Sequence, residues 1–299
     1  MTKSKIIKRV AAVAATLVAT LGIGFGLRGG NVSDDINENK DINRVEGELQ
    51  IHYMDVGQGD ATLIVCDGHA MLIDAGENDK GSSVWSYLKS QGIEELDYVI
   101  GTHPDSDHIG GLDVIIYKFQ CGKVFMPDFT KDTRTYEDVI KAAENKNYKI
   151  TVPNVGEKYT LGDAEFTIIA PNGKYKDANN ASIGVLLKYG ETSFLFTGDA
   201  EEEAEKDIIA NGINIHADVY KAGHHGSRTS SCDEFLAEVT PEYVVISCGE
   251  NNSYGHPHAA IINYCISNHI PIFRTDMQGT IVLKSDGRGI TWNMSPYEY

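Results

Sequence analysis

Short apolar runs separated by turn-forming residues fill the chain from Leu49 onward, and they most constrain its fold. Runs of this length bounded by Gly, Asn, Asp or Pro are typical of strands, and longer amphipathic stretches are typical of helices. Strands are predicted at 49–56, 61–66, 70–73, 98–101, 166–170, 182–189, 193–197, 219–222, 243–248, 272–274 and 279–284. Helices are predicted at 84–91, from 109 into the 110s, and at 135–145, 200–211, 233–239 and 259–268. Two similar halves of mixed elements predict an α/β (α+β) fold, a four-layer αββα sandwich with its ligands on loops at one strand-end edge.

The N-terminus has a different character from the rest of the chain. Basic residues come first: Lys3, Lys5, Lys8 and Arg9. An uncharged apolar segment then runs from residue 10 to residue 27. We interpret residues 1–28 as a signal peptide or a membrane anchor, with the anchor favoured, residues 29–47 as a flexible linker, and residues 48–299 as the globular domain. The domain is therefore predicted to be exported, either secreted or held at the cell surface through the N-terminal membrane segment.

Charge and cysteine usage exclude some classes of function. The chain has 26 basic and 43 acidic residues, a formal charge of −17, which counts against extensive binding of a polyanion. A small phosphodiester held by metal ions is still compatible, because the ions supply positive charge locally. The five cysteines are widely spaced and include no CxxC pair, so neither a disulfide scaffold nor a thiolate metal site is predicted. No sequence feature indicates a protein partner.

The segment THPDSDHIGG at 102–111 is rich in metal-ligating side chains. It contains His103, Asp105, Asp107 and His108. Imidazole and carboxylate in alternation suit Zn²⁺, Mn²⁺ or Fe²⁺. Aspartates also occur in such loops as turn formers or helix caps, and that interpretation is the alternative. With partners elsewhere in the chain, the hypothesis favoured here is a dinuclear hydrolytic centre.

Further candidates follow predicted strands. Asp199, after the strand at 193–197, is placed by a glycine turn and suits bridging two cations, although it could instead cap the next helix. The pair His224 and His225 lies between glycines, which suits one imidazole on a metal and the other on substrate. His256 and His258 flank a proline and suit substrate contact or proton transfer. The alternative for these histidines is that they lie on the surface or before a helix and have no functional role.

These motifs occur in an order that resembles a known family. They read DVGQGDA (55–61), LIDAG (72–76), THPDSDHIGG (102–111), NNAS (179–182), FTGD (196–199), HHGS (224–227) and YGHPH (254–258). The chain resembles the metallo-β-lactamase-fold hydrolases and, among them, the extracellular hydrolase domain of ComEC-type DNA-uptake competence proteins. ComEC-type proteins also carry a multi-helix channel, for which this chain has no matching segment.

The resemblance implies two divalent metal ions, Zn²⁺ or Mn²⁺, and a metal-bound hydroxide as nucleophile. It implies His103 and Asp105 on one ion, Asp107, His108 and His225 on the other, and Asp199 between them. Asp107, His224 and His258 are the candidate catalytic residues. The candidates for substrate contact or for orienting a ligand are Asp74, Asn180, Ser182 and His256. Asp105 stands where the broad superfamily usually has histidine, which tilts the site toward Mn²⁺ and argues against β-lactam hydrolysis.

The resulting functional hypothesis is a metal-dependent phosphodiesterase or nuclease acting on DNA or a nucleotide. A second enzymatic alternative is an esterase for a small envelope phosphodiester of the phosphocholine type. A non-catalytic accessory module with the same fold is the third. The sequence does not decide among the substrates.

Overall fold

The computed structural model describes residues 47–299, which form fifteen strands and eight α-helices. The strands are β1 (Leu49–Tyr53), β2 (Thr62–Cys66), β3 (His69–Ile73), β4 (Glu95–Ile100), β5 (Gln120–Phe125), β6 (Ile150–Thr151), β7 (Lys158–Leu161), β8 (Ala164–Ala170), β9 (Gly184–Tyr189), β10 (Thr192–Phe196), β11 (Val219–Lys221), β12 (Tyr243–Ile246), β13 (Ile272–Arg274), β14 (Ile281–Ser285) and β15 (Ile290–Trp292). The helices are α1 (Gly81–Ser90), α2 (Ser106–Ile109), α3 (Leu112–Lys118), α4 (Arg134–Asn145), α5 (Glu202–Ala210), α6 (Asp233–Val239), α7 (Ala259–Ser267) and α8 (Thr275–Gln278). Short 3-10 turns lie at Asn179–Ala181 and Gly223–Gly226.

The strands form two mixed sheets of similar design. The first has the order β15-β14-β1-β2-β3-β4-β5-β6, and the second has the order β13-β12-β11-β10-β9-β8-β7. Strands β3 to β6 are mutually parallel in the first sheet, as are β10 to β13 in the second, and the remaining pairs are antiparallel. Each sheet therefore has a parallel half, and the carboxyl ends of its strands point to one edge.

Alternation along the strands sends apolar side chains to both faces of each sheet. One buried cluster joins the facing sheets, with Ile51 and Met71 from the first and Phe166 and Phe194 from the second. A second cluster lies between the first sheet and helices α1, α3 and α4, and a third lies between the second sheet and helices α5, α6 and α7. The prediction of a mixed two-sheet sandwich is confirmed, with helices on the outer faces.

Most predicted elements occur within a few residues of their predicted bounds. The hairpin across Asp67 and Gly68 joins β2 to β3, and both turn residues have positive φ. Strand β5 was not predicted because Gly122 and Lys123 interrupt its apolar run. A Cβ atom at Gly122 would lie 2.7 Å from the carbonyl oxygen of Asp97 on β4, so the close approach of the two strands requires glycine there.

The helix predicted from residue 109 into the 110s is present, but it begins at Leu112. The chain forms two short helices, α2 and α3, on either side of Gly110 and Gly111. A Cβ atom at Gly111 would lie 2.4 Å from the carbonyl oxygen of Ala75, so the backbone at this break packs directly against the loop after β3. The break ends α2 at Ile109, one residue after His108, and α3 begins at Leu112.

The predicted anchor (1–28) and nearly all of the linker (29–47) lie outside the described residues, so they remain predictions. Within residues 47–299, none of the helices combines the length and the apolar character needed to cross a membrane. All five cysteines are free thiols, and four of them are buried.

Candidate metal centre

The candidate residues converge at the edge where the parallel strands of both sheets end. In the first sheet, Asp74 follows β3 and the 103–108 loop follows β4. In the second sheet, Asp199 follows β10 and the two histidines 224 and 225 follow β11. Neighbouring parallel strands deliver their C-terminal loops to the same place, and the facing sheets bring the two sets together.

Donor atoms of four side chains lie close together, at spacings near those of a tetrahedral metal site. His225 Nε2 lies 3.2 Å from Asp107 Oδ2, 3.3 Å from His108 Nε2 and 3.5 Å from Asp199 Oδ2. His108 Nε2 lies 3.2 Å from Asp199 Oδ1 and 4.0 Å from Asp107 Oδ2. Donors around a tetrahedral ion at about 2.1 Å are separated by about 3.4 Å, so this set fits a first-row divalent cation.

Asp199 also faces a second set of nitrogens. Its Oδ2 atom lies 3.8 Å from His103 Nε2 and 3.7 Å from His224 Nε2, while its Oδ1 atom faces His108. The same Oδ2 atom also lies 3.5 Å from His225 Nε2, so this buried carboxylate lies within 4 Å of ring nitrogens from both groups of histidines. This is the arrangement that a bridging ligand between two cations requires.

Hydrogen bonds to Asp74 and Thr102 determine which ring nitrogen of His103 and of His108 is free to bind a metal. Asp74 Oδ2 accepts from His108 Nδ1 at 2.9 Å and from the Thr102 hydroxyl at 2.7 Å, and Asp74 Oδ1 accepts from the Thr102 backbone N–H at 2.8 Å. Because the Thr102 hydroxyl donates to Asp74, it accepts from His103 Nδ1, 3.1 Å away. A neutral His103 and a neutral His108 thus carry their hydrogen on Nδ1 and present Nε2 as a ligand atom.

His225 is held in the same way by the second sheet. Its Nδ1 donates to the Ser247 carbonyl oxygen at 3.0 Å, which leaves Nε2 directed toward Asp107 and Asp199. The backbone of both His224 and His225 is left-handed, with φ of 48° and 56°. Non-glycine residues persist in this conformation only where the surroundings impose it, as at functional sites.

Asp105 is the candidate ligand whose contact differs from the others. Its carboxylate pairs with Lys131 Nζ at 2.6 Å, and its side chain is 30% exposed. Among the described residues, no hydrogen bond or ion pair joins the Asp105 carboxylate to the side chains of the other candidate ligands, so the structure does not bring it together with them.

Ser182 and Asn180 lie directly behind the centre. Ser182 Oγ accepts from the Asp199 backbone N–H at 3.1 Å and lies 3.3 Å from His103 Nδ1, so it orients two candidate ligands. Asn180 Oδ1 accepts from the Glu201 backbone N–H at 3.0 Å, next to the start of α5. Asn180 thus fixes the turn after Asp199.

The last two candidate histidines, His256 and His258, lie at the mouth of the site, which is the side where His224 is 22% exposed. The His256 ring lies 5.5 Å from that of His224 and 6.1 Å from that of His225, between centroids. His258 lies farther along, with its ring 4.9 Å from His256 and its Nδ1 accepting from the Arg228 backbone N–H at 3.0 Å. His256 is thus nearer to the centre than His258.

The charges of the centre are strongly coupled. Burial alone would lower the pKa of His108 and His225, but Asp199 and its neighbours raise the pKa of His108 well above its usual range and that of His225 to about 10. The same imidazoles hold the pKa of Asp199 well below its usual range, against the effect of burial. Burial and the nearby His108 lower the pKa of His103 to about 4. A cation and protons therefore compete for His108 and His225.

Two buried atoms of the centre lack a hydrogen-bond partner among the described residues, His103 Nε2 and Asp199 Oδ1. Buried polar atoms are ordinarily satisfied, and an unpaired one points to a missing ion or water. Both atoms face the space that the converging donors enclose. The residues present therefore fit divalent metal ions.

A cleft of about 400 Å³ reaches Ala181, next to Ser182, and none of the candidate metal ligands lines it. Its walls include Phe129, Val152, Lys174, Tyr175 and Ala181. Ala181 directly precedes Ser182, and Phe129 lies in the loop that carries Lys131, so the cleft adjoins the His103 and Asp105 side.

Comparisons with known proteins agree with this geometry. The model of the metallo-beta-lactamase superfamily matches residues 54–250. The chain belongs to this superfamily. It is 30% identical to ComE operon protein 3 of Bacillus subtilis over 84% of this chain and 34% of that protein, and 28% identical to competence protein ComA of Neisseria gonorrhoeae over 97% of this chain and 42% of that protein. The chain thus spans less than half the length of these relatives.

A solved structure shows the same fold. The metallo-beta-lactamase fold protein YhfI from Bacillus subtilis matches 79% of this chain and 100% of its own, with a TM-score of 0.56 and 11% identity. At this identity the likeness concerns the fold alone. The fold supplies the edge at which the candidate ligands meet.

Sequence reasoning missed three residues around the centre: Thr102, Asp60 and Lys221. Thr102 transmits the effect of Asp74 to His103, as described above. Asp60 and Lys221 form a buried ion pair with each other. Thr102 and Asp60 lie inside quoted motifs, and Lys221 lies three residues before the HHGS motif, so their positions were the available signal.

Proposed function

We propose that this superfamily hydrolase uses two divalent cations to cleave phosphodiester bonds. The observation that carries the proposal is Asp199, whose buried carboxylate lies within 4 Å of the ring nitrogens of His108 and His225 and also of His103. A pair of cations joined by a carboxylate can stabilise both the attacking and the leaving oxygen of a phosphodiester, and can activate the attacking water. The protein's own contribution is to fix the ligand nitrogens and to keep the centre buried.

The residues of the proposed site have separate tasks. His108, His225 and Asp107 would hold one cation, His103 and Asp105 the other, and Asp199 both. His224, 22% exposed and 3.7 Å from Asp199, would contact the substrate from the open side. His256, at the mouth, would contact the leaving group or transfer a proton to it, and His258 would support His256.

The substrate class has support from two directions. The name of the ComA relative links that protein to competence, and together with the sequence resemblance to DNA-uptake proteins this favours DNA or a nucleotide. The charge of −17 disfavours a long polyanion held along the surface and favours a strand end or a small ester, such as one of the phosphocholine type, with its remainder in the adjoining cleft. We propose DNA ends or nucleotides first and the small envelope ester second.

The location is proposed from the N-terminal sequence. The apolar segment within residues 1–28 would hold the domain outside the cytoplasmic membrane. Membrane fractionation of cells expressing the full chain, followed by added protease, tests this. Recovery of protease-resistant protein in the cytosolic fraction would contradict it.

The enzymatic proposal is tested with the full chain after chelation and dialysis. Metal content is measured after loading with Zn²⁺ or Mn²⁺, and turnover is measured on bis-p-nitrophenyl phosphate, single-stranded DNA and a phosphocholine ester. We expect two metal equivalents and chelator-sensitive turnover on at least one substrate. Two bound equivalents with no turnover on any of the three would refute phosphodiesterase activity and favour an accessory module.

A further inference from the structure

Asp60 and Lys221 form a buried pair of opposite charges directly behind the candidate metal centre. Asp60 lies in the connection between β1 and β2, and Lys221 is the last residue of β11. Their side chains are only 5% and 3% exposed, and Lys221 Nζ donates to Asp60 Oδ2. A carboxylate buried this deeply is stable only with a partner, because desolvation of an unpaired charge costs several kcal/mol.

Asp60 belongs to a buried group of potential ligands with His108, Asp199 and His225, whose donor atoms lie within 4.8 Å of one another, but it faces the Nδ1 side of the two rings. Its Oδ1 lies 3.4 Å from His225 Nδ1, and its Oδ2 lies 3.8 Å from His108 Nδ1. The atoms that converge on Asp199 are the opposite nitrogens, Nε2 of the same two rings. Asp60 therefore faces the Nδ1 side of both imidazoles through charge rather than through a hydrogen bond. The two ring hydrogens are directed to Ser247 and Asp74, and Asp60 Oδ1 has no hydrogen-bond partner among the described residues.

The backbone of Asp60 ties the same point to the loop that carries the other ligands. Its N–H donates to the Asp107 carbonyl oxygen at 3.0 Å, and its carbonyl oxygen accepts from the Gly76 N–H at 2.8 Å. Lys221 adds a second support on the other sheet, where Nζ also donates to the Ala222 carbonyl oxygen at 3.2 Å. The pair thus connects the ligand loop of the first sheet with the strand that leads to His225 in the second.

We infer that the Asp60–Lys221 ion pair is a positioning device that locks His108 and His225, from different sheets, with their Nε2 atoms converged for metal binding. The negative charge of the carboxylate favours the ring hydrogens on Nδ1 and so leaves Nε2 free, and the lysine keeps the carboxylate in place and away from the cation. The inference rests on metal binding at the proposed centre and not on the identity of the substrate.

The test measures metal affinity in the full chain by competition with a chromophoric chelator, using Zn²⁺ and Mn²⁺ separately. The variants are Asp60→Asn, Lys221→Met and the double variant, and the control is Lys284→Met, which removes the lysine of the Lys284–Glu48 pair at the far end of β14. Thermal unfolding of the metal-free proteins reports on folding independently. The visible spectrum of the Co²⁺-loaded proteins reports on ligand geometry.

We expect each single substitution to weaken metal binding by about 10–100-fold, the range for groups that orient ligands, and to change the Co²⁺ spectrum. The double variant restores neutrality and the metal-free unfolding temperature but stays weak in metal binding. The fold-loss of metal affinity in the double variant is smaller than the product of the fold-losses in the two single variants, because the two residues act as a unit. Lys284→Met leaves the affinity unchanged.

Three outcomes would overturn the inference. Wild-type affinity in a folded Asp60→Asn protein would mean that the pair serves only stability. Tighter binding by Lys221→Met together with loss of a whole metal equivalent in Asp60→Asn would make Asp60 a ligand for which lysine competes. A wild-type chain that binds no metal would overturn the proposed function along with the inference, whereas the first two outcomes leave the proposed function intact.

Discussion

Asp74→Asn is the substitution with the clearest consequence at the centre. The amide keeps the size of the carboxylate and tolerates the left-handed backbone of Asp74, whose φ is 58°. In the natural protein both carboxylate oxygens accept hydrogens, one from the Thr102 N–H and the other from the Thr102 hydroxyl and from His108. An amide has one accepting oxygen, so at least one of these donors must face an NH₂ group.

Two arrangements follow, and each has a cost. If the NH₂ group faces the backbone N–H of Thr102, a buried donor is left unsatisfied, which costs about 1–3 kcal/mol of folding free energy. If it faces His108, the imidazole must accept and its hydrogen moves to Nε2, which then cannot bind a metal. The Thr102 hydroxyl can reverse as well and pass the same change to His103. We expect metal affinity to fall by about 10–100-fold, equivalent to about 1.4–2.7 kcal/mol.

The assay is chelator competition on the full chain, combined with urea unfolding of the metal-free protein. Asp97→Asn is the matched control, because Asp97 also accepts from a histidine, His69 Nδ1 at 3.0 Å, and from a backbone N–H, that of Ala70 at 2.9 Å, at the other end of β4. The control keeps wild-type metal affinity. A folded Asp74→Asn protein that binds metal as tightly as the wild type would refute the argument from ring tautomers.

Three further predictions concern other parts of the site and its support. We expect Asp199→Ala to abolish turnover and lower metal content, and His224→Ala to keep most of the metal. Elemental analysis with a phosphodiesterase assay checks both variants. Loss of both metals in His224→Ala would reverse the assignment of His224 and His225. Gly59→Ala costs at least about 1–3 kcal/mol in urea unfolding, because φ is +134° and the new Cβ would lie 2.3 Å from the Asp107 carbonyl oxygen; unchanged stability would argue against the close approach. Burial raises the pKa of Glu205 to about 7 from 4.5, so the folded state keeps its proton while the unfolded state loses it, and stability falls by about 3 kcal/mol between roughly pH 4.5 and pH 7. Glu205→Gln should flatten that fall in urea unfolding across this range, and an unaltered profile would contradict the assignment.

Much of the fold could be predicted from the sequence because the residue patterns that mark its strands and turns are local. Apolar runs bounded by turns marked most strands, and the Asp-Gly turn marked the hairpin between β2 and β3. Strand β5 and the break between α2 and α3 depend on glycines whose purpose is close approach to another segment, at Gly122 and Gly111. A glycine required by a distant backbone is indistinguishable in sequence from one that ends an element.

In the candidate site too, short local motifs could be predicted from the sequence, whereas contacts between distant residues could not. Ligand types cluster in short motifs, so the 103–108 loop and Asp199 were open to prediction from residue chemistry. The ion pair of Asp60 and Lys221 joins residues far apart in the chain, and a buried lysine at a strand end has no local pattern that distinguishes it from an exposed one. The pairing of Lys131 with Asp105 is likewise a product of the folded chain.

The centre draws its ligands from both sheets, and this links metal binding to the cohesion of the sandwich. Asp107 and His108 follow a strand of the first sheet, whereas Asp199 and His225 follow strands of the second, and the donor atoms meet across the gap. A cation that binds the folded chain alone stabilises it by about 2.7 kcal/mol at a concentration one hundred times its Kd. Cations bound at this centre would therefore also hold together the loops of the two sheets that supply the candidate ligands.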